Sequence, residues 1–141
     1  MMHKIYHSTG INEFLGILND GAVLSYVDKL SRDYSKHANI SINESREFLI
    51  SKVKREERDL NAFFSNNMRD TIEGKVEKYK QKGELVVMEF DVNFKPEANT
   101  IGRSSLSLDH LKKVYAQNPE FVKTLLVSFK DKYSGVQVFK Y

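Results

Sequence analysis

The sequence predicts a single α+β domain, on three observations. Apolar residues recur at helical spacing in the first half of the chain, around positions 11–18 and 68–79. After position 84 the pattern turns to alternating or continuous apolar runs of strand length. The 141 residues, 40% hydrophobic and 29% charged, match one ordinary globular domain, and no repeat, low-complexity block or Pro/Gly/Ser linker divides 1–141. Early helices followed by a late run of strands argue for α+β rather than a regular parallel βαβ array.

Each element has its own reason. Lys4 to Thr9 alternates around Ile5, Tyr6 and His7 and reads as a short strand, with Thr9 placed to cap a helix. Ile11, Phe14, Leu15 and Leu18 then share a helical face. Gly16 inside that helix suggests a close neighbour, and Gly21 suits a left-handed stop. Ala22 to Val27 returns as a strand, and the polar stretch Asp28 to Asn39 reads as loop. Ser41 and Glu44 form a capping box, opening a helix with Phe48, Leu49 and Val53 on one stripe and the charged run Lys52–Arg58 at its end. Asn61 to Ser65 is a short strand. Asn67 caps the next helix, whose Met68, Ile72, Val76 and Tyr79 share a face and which Gly83 terminates. Glu84 to Val92 is the clearest strand, with Val86, Met88, Phe90 and Val92 on one face and Leu85, Val87, Glu89 and Asp91 on the other. Thr100 to Ser107 is extended, and Asp109 to Ala116 fits helix or strand equally. Val122–Phe129 and Gly135–Tyr141 read as a hairpin across Lys130–Ser134.

Composition excludes several classes. Without cysteine there is no disulfide framework, thiolate nucleophile or cysteine-based zinc site. A reducing, cytoplasmic compartment is the expectation. No apolar run reaches membrane-spanning length, and the N-terminus lacks the apolar core of a secretory signal, so no membrane partner is expected. The seven glycines form neither GxGxxG nor GxxxxGK[ST], and G-x-S-x-G is missing. Net charge of +3 admits an anionic partner, nucleic acid included, without requiring one.

Three groups of residues could carry chemistry. His7-Ser8-Thr9 ends the first strand where a helix begins. Such a junction exposes backbone N–H groups to an anion or a carbonyl, and His7 could donate to a ribose hydroxyl. The plain alternative is a partly buried structural histidine beside a capping threonine. Phe63 and Phe64 point to opposite faces of a strand, so one is core; the other could be a stacking wall with Ser65 beside it, or both could be core. Glu89 and Asp91 share a strand face and could hold a divalent cation in a nuclease, but a solvated face explains them more simply.

Taken together, I-Y-H-S-T-G-I-N-E-F-L-G-I-L-N-D-G-A-V-L-S resembles the opening of the ADP-ribosyltransferase fold, in which an aromatic residue and a His-x-Thr motif precede a helix ending in I-L-x-x-G and a strand. A-F-F-S before a helix, the strand L-V-V-M-E-F-D-V, and G-R-S-S-L-S-L-D-H-L-K-K-V agree with its later segments. Compact members include rifampicin-modifying and DNA-targeting ADP-ribosyltransferases. The resemblance implies split mixed and antiparallel sheets with helices in the N-terminal half, and NAD as the bound dinucleotide. It implies that His7 holds a ribose hydroxyl, that the Ser8 backbone binds the nicotinamide amide where the family more often has Gly, and that Thr9 supports the turn. Phe63 or Phe64, with Ser65, would occupy the second motif, where a Tyr commonly stacks on nicotinamide. The family's third motif supplies a carboxylate that orients the ribose and favours an oxocarbenium-like transition state. Its expected place, N-T-I-G-R at 99–103, contains no acid; Glu97 and Asp109 flank it as alternatives.

Two functions from different classes follow. One is an enzyme that cleaves the nicotinamide–ribose bond of NAD and transfers ADP-ribose to a protein, nucleic acid or small molecule. The other is a silent module on the same fold that binds NAD, a related nucleotide, a nucleic acid or a protein. A small toxin or a phage or mobile-element effector fits either. The metal nuclease at Glu89 and Asp91 stands third.

Overall fold

A computed structural model describes residues 1–52, 61–68 and 75–141. Along the chain these form β1 (His3–Thr9), α1 (Ile11–Asp20), β2 (Ala22–Leu24), α2 (Tyr26–Ala38), α3 (Ile42–Lys52), β3 (Ala62–Ser65), α4 (Lys75–Gln81), β4 (Val86–Val92), β5 (Thr100–Arg103), β6 (Ser105–Ser107), a 3-10 turn (Leu108–His110), β7 (Leu111–Ala116), α5 (Pro119–Val127) and β8 (Gln137–Lys140). The expected Val53, the whole of the charged run after Lys52, and Ile72 lie outside the described residues.

Among the described residues the strands form a six-stranded sheet, β5-β3-β1-β4-β7-β8, and a two-stranded sheet, β2-β6. All pairs are antiparallel except β7–β8. The α+β class is therefore as the sequence predicts. β1 and β4 lie at the centre in register from His3↔Val92 to Thr9↔Val86. Central placement explains why β4 is buried on nearly every residue: both its faces are covered. The main core lies on the face of Ile5, Phe64, Val86, Met88 and Phe90, closed by Phe14 and Leu18 of α1 and by Val122 and Leu126 of α5. Each fully buried Phe or Leu contributes about 1.5–3 kcal/mol.

Several expectations change. Thr9 is the last residue of β1 and does not cap; Gly10 occupies the N-cap of α1 without a side-chain hydrogen bond. Leu15 is exposed, and a methyl group added at Gly16 would meet only the far end of Lys29, at 3.4 Å, so no close packing explains that glycine. Gly21 is left-handed as expected, with φ 71° and its N–H bonded to Ile17 O. The polar stretch 28–39 is helix, not loop. Ser25 Oγ accepts from Asp28 N at 3.0 Å, Asp28 sits in the first turn, Lys36 and His37 in the last, and Asn39 closes it in the left-handed region. It packs on α3 through buried serines: Ser31 and Ser45 are inaccessible, and Ser45 Oγ donates to Ser31 O at 2.8 Å. Ser41 Oγ accepts from Glu44 N at 3.1 Å, as the capping box requires, yet Phe48 remains exposed, stacked on Tyr34.

The C-terminal hairpin is overturned. Residues 119–127 form α5, because Asn118 accepts from Phe121 N and Pro119 occupies the first turn. The helix acts as a crossover, so β8 returns parallel to β7.

Candidate functional site

β1 pairs with β4 along its whole length but with β3 only at Tyr6↔Ser65. Past Tyr6, β1 and β3 diverge. His7 stands where they part: its Nδ1–H donates to the Phe63 carbonyl at 2.9 Å and its ring lies 5.4 Å from that of Phe64. A carbonyl can only accept, so the proton belongs on Nδ1. The Nε2 of the neutral ring is then an acceptor, which takes a hydrogen bond from a hydroxyl rather than giving one.

Ser8 and Thr9 follow, both buried. Ser8 is 8% exposed, and its Oγ is a buried hydroxyl with no hydrogen-bond partner among the described residues. Such a group costs about 1–3 kcal/mol unless something bonds to it. Next, Gly10 leaves the first N–H groups of α1 without a side-chain cap, at the positive end of the helix dipole. The Ser8 hydroxyl and the uncapped start of α1 stand two residues apart along the chain.

The two phenylalanines divide as strand geometry demands. Phe64 is wholly buried, edge-on to Phe90 with centroids 5.8 Å apart. Phe63 is half-buried and points to the opposite face. Ser65 is buried, and its Oγ accepts from Asn67 N at 3.1 Å. That bond fixes the turn after β3. His7, Phe63, Phe64 and Ser65 are thus gathered around the β1–β3 divergence.

The two flanking acids are not brought together. Glu97 is exposed in the loop before β5 and lines a cavity of about 560 Å³ with Phe94, Lys95 and Arg103, whose guanidinium lies 3.9 Å over the Phe94 ring. Asp109 follows β6 and lines a different cavity of about 250 Å³ with Gly21, Lys112, Lys132 and Tyr133. Neither lining includes His7, Ser8 or Thr9.

No protein-family model matches this sequence. No curated protein matches it either. Solved structures do: Thermus sp. 2.9 DarT in complex with carba-NAD+ and in complex with NAD+, each with a TM-score of 0.58 over 97% of this chain and 95% of that chain, at 9% and 11% identity. The chain has the ADP-ribosyltransferase fold. At such identity it is the fold that is shared, and residue roles rest on local geometry.

Within this ADP-ribosyltransferase fold, two groups of residues were hidden from sequence reasoning. The first is Glu89, expected on a solvated face and instead 3% exposed. Its Oε1 accepts from Tyr6 OH at 3.0 Å and from Tyr115 OH at 3.4 Å, while Lys4 Nζ lies 3.6 Å from Oε2. Burial first, then the bond to Glu89, pushes the Tyr6 hydroxyl far above the ordinary tyrosine range. Tyr115 is raised by burial and then by the Glu89 charge. With its carboxylate committed to tyrosines, Glu89 does not pair with Asp91 for a metal, and among the described residues no cluster of three or more acids and histidines is placed to hold one. The second group is Tyr79 and Glu13, which meet over Gly10. The apolar face of α4 and the acid in the first turn of α1 were the visible signals.

Proposed function

We propose that this chain is an NAD-dependent ADP-ribosyltransferase-like protein that holds NAD at the β1–α1 turn and passes ADP-ribose to an acceptor. The observation that carries it is the unsatisfied, buried Ser8 hydroxyl beside His7 and the uncapped start of α1. The likeness to DarT structures containing NAD+ and carba-NAD+ supports the choice of ligand. In this reading His7 Nε2 accepts from a ribose hydroxyl, Ser8 binds the carboxamide, Thr9 supports the turn, and Phe64 backs His7 from the core. In the reaction the C1′–N bond breaks, its electron pair leaves with nicotinamide, and a nucleophile of the acceptor bonds to C1′ as its proton passes to solvent. Of the two acids, Glu97 is the better candidate to face the ribose. It leads into β5, which pairs with β3 at Phe63↔Gly102, whereas Asp109 belongs to the small sheet's end.

A second reading, a binder without turnover, is favoured by the acid-free N-T-I-G-R stretch at 99–103, where the fold's third motif would supply its carboxylate. One titration decides: NAD added to pure protein, with heat and released nicotinamide followed together. Turnover that His7→Ala reduces by at least about 100-fold and Glu97→Gln by a similar factor is the enzyme's signature, since losing one preorganised group costs that much. Binding without product selects the silent module. Full turnover in His7→Ala rejects the site.

A further inference from the structure

β8 ends the six-stranded sheet and has β7 as its neighbour on one side. Tyr141 N donates to Ala116 O at 2.9 Å, so Phe139 and Tyr141 turn their backbone groups toward β7, while Val138 and Lys140 turn theirs outward. Among the described residues nothing pairs with that outer side. Such an edge is a template for another strand.

Beside the edge, a groove between α5 and β8 encloses about 350 Å³. Val127, Val136 and Val138 line it, with Lys123, Lys130 and, among the described residues, one acid, Asp131. Val127 ends α5 with 72% of its surface exposed. Lys130 is held left-handed at φ 58°, just past the helix, where glycine is the usual residue. The adjoining cavity of about 250 Å³ shares Tyr133 and Val136 with the groove and adds Lys112 and Lys132. Of these four lysines only Lys123 has an ion pair among the described residues, to exposed Glu120 at 3.3 Å. Residues 111–141 carry six lysines against two acids, a net +4; the whole chain carries +3, so residues 1–110 stand at −1. Two copies meeting here would oppose like charges, which favours an acidic partner over a second copy.

We propose that the β8 edge and the α5–β8 groove are a docking site for an acidic, extended segment of a partner protein. The segment adds a strand to β8 through the outward groups of Val138 and Lys140 and seats an apolar side chain in the groove, while the lysines select its charge. β4 and β7 stand between β8 and β1, and the proposal does not depend on the NAD reading.

The test titrates the protein with a fluorescein-labelled peptide, Glu-Asp-Val-Leu-Val-Asp-Glu, read by anisotropy, and follows amide hydrogen exchange with and without it. Binding should be saturable and weaken about tenfold from about 0.01 to 0.15 M salt, as the Debye length falls from roughly 30 to 8 Å. The Lys123→Glu/Lys130→Glu double variant, checked by circular dichroism, should bind at least about tenfold more weakly. Lys140→Gln removes a charge; Lys140→Pro also removes an outward N–H, which an edge strand tolerates, and should bind about tenfold more weakly than Lys140→Gln. The Val138 and Lys140 amides should gain protection. No binding by wild type, binding indifferent to the lysine charges, or binding that leaves both amides unprotected overturns the proposal. So does a single-stranded oligonucleotide that displaces the peptide and protects neither amide, which assigns the lysines to nucleic acid. A wild-type dimer in sedimentation that Lys140→Pro dissociates also overturns it, by giving the edge to a second copy.

Discussion

Replacing Glu89 with alanine tests whether a carboxylate sunk in the middle of the sheet stabilises this fold or burdens it. Two tyrosine hydroxyls converge on its Oε1, at 3.0 and 3.4 Å, and a largely exposed lysine stands 3.6 Å from Oε2. A hydrogen bond to a charged group is worth about 1.5–3 kcal/mol, with the longer contact at the low end. The lysine pair adds about 0–1 kcal/mol. Against these stand the desolvation of the carboxylate and an Oε2 without a hydrogen bond, which together offset several kcal/mol. The difference leaves Glu89→Ala about 2 kcal/mol less stable, because Tyr6 also loses its partner. That corresponds to a fall in Tm of about 6 °C for a domain of this size. Glu89→Gln retains an acceptor for both hydroxyls and should lose about 1 kcal/mol or less. Urea unfolding of Glu89→Ala, Tyr6→Phe and the double variant should give a coupling energy of about 1–2 kcal/mol. Additive effects, or a Glu89→Ala protein as stable as wild type, would refute the reasoning by showing that desolvation cancels the tyrosine bonds.

The raised pKa values of Tyr6 and Tyr115 make an alkaline prediction with a definite sign. The folded state holds these protons more tightly, so their contribution is intact below the ordinary tyrosine pKa of about 10 and declines as pH rises above it. Thermal melts between pH 8.5 and 11.5, on the order of the tyrosine range, should show this decline, and Tyr6→Phe should flatten it. Ser25→Ala removes the cap of α2 and should cost about 1–2 kcal/mol. Hydrogen exchange should show the loss as faster exchange confined to α2 and α3, which Asp28 joins through Arg46 at 2.8 Å. Uniform acceleration across β4 would argue against a local cap.

What the sequence disclosed follows from how each element is stabilised. β1, α1 and β4 were legible because apolar spacing and burial coincide in them. α2 was not, because the residues it buries along its length are Val27 and Ser31, which leave no apolar stripe to read. Its caps were visible in Ser25, Asp28 and Asn39, but the polar composition between them outweighed them. In α5, β-branched and aromatic residues argued for strand, and Asn118-Pro119 decided for helix. At the site, His7, Ser8 and Thr9 could be placed because they sit on one strand end. Tyr79 reaches Gly10, and Tyr115 reaches Glu89, only through tertiary packing. Alternation on β4 did assign Glu89 its face correctly. Whether that face was wet depended on what covers it, which periodicity does not encode.

The central position of β1 has a consequence for biosynthesis. Tyr6 pairs with Glu89, 83 residues later. At about 5–20 residues per second, the first strand leaves the ribosome roughly 4–17 seconds before its main partner exists. During that interval Ile5 and its neighbours have no native ladder to join. Lys4, His3 and His7, set between the apolar positions, make that waiting strand a poor template for another chain. A chain truncated before Val86 lacks the strand that β1 pairs with along its whole length.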